Sequence, residues 1–94
     1  MDTPYHPPAK YSVRIDGHRT SISLEPFFWD MLRKAAARRA VAVSTLVAEI
    51  DAERIRSKTP PGLASAIRLW LVSHEMQPRH EKGDRIATAA FPEL

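Results

Sequence analysis

Asp16-Gly17-His18-Arg19-Thr20-Ser21-Ile22-Ser23-Leu24-Glu25-Pro26, residues 16–26, is the stretch whose reading decides the fold. Asp-Gly is a strong two-residue turn signal. After it, polar and apolar residues alternate, and because side chains alternate across a strand, Thr20, Ile22 and Leu24 share one face. Arg19, Ser21 and Ser23 share the other, which carries no acid. Glu25-Pro26 then opens a helix, since proline suits the first helical position and a carboxylate suits the positive helix N-terminus.

Toward the N-terminus, Tyr11 to Ile15 also reads as a strand, rich in β-branched and alternating residues. A two-residue turn at Asp16-Gly17 pairs Ile15 with His18, Val13 with Thr20 and Tyr11 with Ile22, and sets Arg14 beside Arg19 on the polar face. The alternative is that residues 11–15 form a flexible arm. Residues 1–10, with prolines and a histidine in place of a basic and then apolar leader, read as a flexible arm and not as a secretion signal.

Toward the C-terminus, Phe28, Leu32, Ala35, Ala36 and Arg39 follow helical spacing, with Trp29 and Met31 widening the apolar face. The helix is expected to end near Arg39. A second runs from Val43 or Ser44 to Ile55 with Val43, Leu46, Val47 and Ile50 as its buried stripe. Residues 57–62 form a punctuating linker. A third helix follows, with Leu63, Ile67, Trp70, Leu71 and His74 on one stripe, until Gln77-Pro78 ends the pattern. Leu69, Val72 and Met76 lie off that stripe, so burial against another subunit is expected. The folded domain is 11–76, followed by a flexible tail, 77–94.

Ninety-four residues allow one domain. The absence of cysteine excludes disulfides and thiolate metal sites. No apolar run approaches the roughly 20 residues of a membrane span, and a cytoplasmic protein is expected. His74, Glu75, His80 and Glu81 lack the spacing of a helical metal motif, so neither a metal nor any other cofactor is expected. No nucleophile–base pair stands out, and an enzyme is not expected. The net charge of +3 is unevenly spread: residues 10–39 hold seven basic residues against three acidic, whereas the remainder of the folded part is balanced.

A lone strand leaves its backbone groups unpaired, and pairing with the same strand of a second copy is the simplest remedy. That makes a two-stranded antiparallel ribbon, narrow enough for the DNA major groove. The stretch His18 to Ile55 resembles the ribbon-helix-helix family of the Arc and Met repressors. The string Gly17 to Pro26, with Phe28-Trp29 and then Leu46-Val47-Ala48-Glu49-Ile50-Asp51, is similar to a bacterial subfamily that adds a third helix like Leu63 to Leu71.

The resemblance implies a mainly α fold with a short β-ribbon, an intertwined homodimer, and a transcriptional repressor or autoregulator acting on a palindromic or repeated DNA site, with higher oligomers on DNA as an option. Arg19, Ser21 and Ser23 match the base-contacting strand positions. The second helix offers the backbone amides of Val43, Ser44 and Thr45 to a phosphate. Arg14 and Lys34 are further phosphate candidates, although Arg33, Lys34, Arg38 and Arg39 also fit the wet side of an amphipathic helix. A four-stranded dimer sheet is too wide for the groove, so an outer strand 11–15 must splay over the phosphates or be an arm.

Two departures from the family pattern are Ala40 and Ala42, where Gly and a capping Ser or Thr are usual. Ser44 could instead cap a helix starting two residues later. Two rival functions remain: an antitoxin whose tail, 77–94, binds a partner protein through residues such as Ile86 and Phe91, and a structural dimerisation module without DNA binding.

Overall fold

A computed structural model describes residues 5–75. Two strands and three helices follow in order: β1 (Ala9–Ile15), β2 (His18–Leu24), α1 (Pro26–Arg38), α2 (Val43–Ile55) and α3 (Leu63–Glu75). Strands β1 and β2 form an antiparallel hairpin in which Ile15 pairs with His18, Val13 with Thr20 and Tyr11 with Ile22. The hairpin register matches the sequence expectation, and the arm alternative for residues 11–15 is not what forms.

The turn explains the register. Asp16 and Gly17 take φ values of 51° and 81°, both positive, as a two-residue turn whose twist matches the strands requires. Strand β1 begins at Ala9, two residues before the expected boundary, because Lys10 and Ala9 continue the ladder opposite Ser23 and Leu24. Ala9 and Lys10, expected outside the folded domain, belong to β1 instead.

One face of the hairpin supplies Val13, Ile15, Ile22 and Leu24 to the core, with β1 lying on α2 and β2 on α3. Tyr11 stacks on Trp29 of α1, with ring centroids 4.2 Å apart and planes within 4°. Leu24, Leu32, Leu46, Val47, Ile67 and Leu71 have no exposed surface. Each such aliphatic side chain contributes roughly 1.5–3 kcal/mol by leaving water.

Helix α3 docks on α1 and α2 of its own chain through one of its apolar stripes. Ile67, Trp70 and Leu71 are buried against α1 and α2. Arg68 Nε and Nη2 donate to the two Glu25 carboxylate oxygens at 2.8 and 3.1 Å. Glu25 therefore caps α1 through its backbone alone, and its carboxylate serves α3 instead of the helix end. Arg38 pairs with Glu75, and the Arg39 guanidinium lies over the Trp70 ring, 4.8 Å from its centroid. Leu69 and Val72 remain 62% and 48% exposed.

The connection from α1 to α2 is closed by alanine where glycine is the easier residue. Ala40 takes a φ of 58°, while the Val41 amide donates to Ala36 O and the Ala40 amide to Ala37 O, both at 3.0 Å. Those two bonds define a Schellman motif, whose left-handed residue carries a Cβ penalty unless it is glycine. The tight turn survives the substitution and keeps the α2 N-terminus in place.

Candidate nucleic-acid interface

The hairpin face away from the core carries Lys10, Ser12 and Arg14 from β1 and Arg19, Ser21 and Ser23 from β2, all six exposed. Directly opposite one another stand Lys10 and Ser23, Ser12 and Ser21, and Arg14 and Arg19. In a two-residue hairpin the pair flanking the turn is hydrogen-bonded, so these three pairs are the non-hydrogen-bonded ones, whose Cα atoms lie only about 4.5 Å apart. The outward side chains thus form a continuous polar strip.

Its electrostatics are one-sided. Among the described residues, no carboxylate forms an ion pair with Lys10, Arg14 or Arg19. Arg14 Nη1 donates to Gly17 O at 3.2 Å, which bends that guanidinium toward the turn, and Ser12, Val13, Arg14 and Arg19 line a shallow hollow. Helix α1 differs: Lys34 Nζ lies 3.1 Å from Asp30 Oδ2, Arg38 pairs with Glu75, and Arg39 covers Trp70. Arg33 on α1 also lacks an acidic partner among the described residues, whereas Lys34 is bound within its own helix.

Residues Arg19, Ser21 and Ser23 also have backbone groups that point away from β1, as residues of non-hydrogen-bonded pairs do. With two strands in the sheet, the far edge of β2 has no strand partner among the described residues. The pairing need that the sequence assigned to a second copy is met on one edge by β1.

Helix α2 begins at Val43 with Ala42 as N-cap, so Ser44 lies inside the first turn and does not cap it. No side chain caps this end, and no acidic residue occupies its first turn. The Leu46 amide already donates to Ala42 O at 3.1 Å. The amides of Val43, Ser44 and Thr45 are the ones a helix start leaves without an intrahelical acceptor.

Lys10 and Ser12 were not among the candidates drawn from the sequence. The polar–apolar alternation from Lys10 to Ile15 was the signal that could have found them. Among the described residues, no group of three potential ligands could hold a metal, and no helix is long and apolar enough to cross a membrane. His80, Glu81, Ile86, Phe91 and the remainder of the tail, 77–94, lie outside the described residues.

A family model for the ribbon-helix-helix domain matches residues 8–74. No curated protein and no solved structure gives a significant match.

Proposed function

From the premise that the chain belongs to the ribbon-helix-helix domain family, whose members generally bind DNA as transcription regulators or antitoxins, we propose that it is a sequence-specific DNA-binding regulator, a repressor or autoregulator, acting as a homodimer in the cytoplasm. The observation that carries this reading is the exposed ribbon strip with three cations and no acid.

In the proposal, the free edges of β2 from two copies pair antiparallel. A register centred on Ser21 sets Arg19 of each protomer opposite Ser23 of its partner and satisfies all the outward backbone groups of those three residues. The resulting twofold axis calls for a palindromic or repeated site. Arg19 bridges guanine O6 and N7, while the Ser21 and Ser23 hydroxyls donate to or accept from base edges. Arg14 and the amides of Val43, Ser44 and Thr45 take phosphates. Lys34 contributes only by exchanging Asp30 for a phosphate. No catalytic role or cofactor is part of the proposal.

Selection from random-sequence DNA with the purified protein tests it. A palindromic or repeated motif should be enriched; recovery of no motif at all would contradict sequence-specific binding.

The exposed Leu69 and Val72 favour a second reading, in which the dimer also holds a partner protein, as an antitoxin does. A partner that co-purifies with the wild type and is lost from Leu69→Ser would support it. The third alternative, dimerisation without DNA binding, rested on Ala40 and Ala42, yet Ala40 adopts the left-handed geometry that the connection requires.

A further inference from the structure

We infer that β1 is a phosphate-gripping strand, in which Lys10, together with Ser12 and Arg14, holds the DNA backbone along the two rims of the groove that β2 enters. The inference rests on the DNA-reading proposal above and adds Lys10 and Ser12, which that proposal leaves idle, to the phosphate contact it gives Arg14.

The argument starts from width. Neighbouring strands lie about 4.8 Å apart, so in a sheet ordered β1, β2, then the partner's β2 and β1, the two outer strands are about 14 Å apart. The major groove is about 12 Å wide. The inner pair fits within it, and the outer pair falls on its walls, where the phosphates are. A splayed flexible strand is not required, because β1 is held by seven cross-strand pairs and by the Tyr11–Trp29 stack.

Chemistry follows the same division. Each inner strand presents one cation and two serines, a set that suits base edges; each outer strand presents two cations and one serine, a set that suits phosphate. Lys10 and Arg14 sit at opposite ends of the outward row of β1, both exposed and neither paired to a carboxylate among the described residues. Lysine delivers a compact point charge on a flexible stem, which suits a phosphate better than the planar recognition of a base.

The test compares wild type, Lys10→Ala and Lys10→Arg on the selected DNA site and on random duplex across a salt series. Each lost phosphate contact reduces the slope of log K against log salt by about 0.9, so Lys10→Ala should flatten it by about two units per bound dimer. Both DNAs should weaken alike, and Lys10→Arg should retain the wild-type slope. An unchanged slope for Lys10→Ala, or an altered base preference, overturns the inference; the latter would make β1 a reading strand. If the wild type itself binds no DNA or selects no site, the underlying functional proposal fails together with this one. A selective wild type beside a Lys10→Ala protein of unchanged slope fails this inference alone.

Discussion

Arg14 and Arg19 stand directly opposite one another across the hairpin, on the same outward face, and neither has a carboxylate partner among the described residues. Like charges in that relation destabilise a sheet, so the fold bears a cost that a polyanion would remove. Arg14→Thr is expected to raise stability by a few tenths of a kcal/mol at low ionic strength, with the gain vanishing in high salt. Urea midpoints at two salt concentrations check this. The same variant should bind DNA more weakly, which would set stability and binding in opposition at one residue.

The hairpin turn gives the second expectation. A Cβ added at Gly17 meets nothing within 4 Å, so any cost of Gly17→Ala comes from its φ of 81° alone. That cost is about 1 kcal/mol after allowing for the smaller entropy of the unfolded chain. Urea unfolding should show the loss, and amide exchange should place the loosened region in β1.

The converse holds at the helix connection. Ala40 has a φ of 58° and is exposed, so Ala40→Gly removes a backbone penalty without emptying any packed space. A gain of about 0.5–1 kcal/mol is expected from the urea midpoint. DNA affinity should be unchanged, since the α2 N-terminus stays where it is.

The fourth expectation concerns pH. The hydrogen bonds from Arg68 hold the Glu25 carboxyl below its ordinary value of 4.5, with its own backbone amide as the next cause. A lowered folded pKa means the unfolded chain binds the proton more readily. The stabilisation is therefore present above that ordinary value and is lost as pH falls below it through the folded pKa. Arg68→Met should flatten this part of the acid-unfolding profile and loosen α3, as followed by Trp70 fluorescence.

Much of the fold was legible because its determinants are local. Asp16-Gly17 fixed the hairpin register, the Val43–Ile50 stripe fixed the face of α2, and strand alternation identified the outward Arg19, Ser21 and Ser23. What the sequence hid depends on partners distant in the chain. Ala9 and Lys10 are poor strand formers by themselves, and the ladder with Leu24 and Ser23 holds them. The tie between α3 and the start of α1 joins Glu25 to Arg68, 43 residues apart, and no periodicity reports that pairing. Lys34 was the reverse case: its partner Asp30 lay one helical turn away in plain view.

The central claim, that the ribbon reads sequence, is tested most directly by Arg19→Ala measured by competition between the selected site and random duplex, with Lys34→Ala as the comparison. If Arg19 touches a base edge, its removal should cost about 1–3 kcal/mol on the selected site and much less on random DNA, which narrows the ratio between them. Lys34→Ala should leave that ratio intact. An Arg19→Ala protein that keeps the wild-type ratio while Lys34→Ala abolishes it would contradict the account and move the reading element to α1.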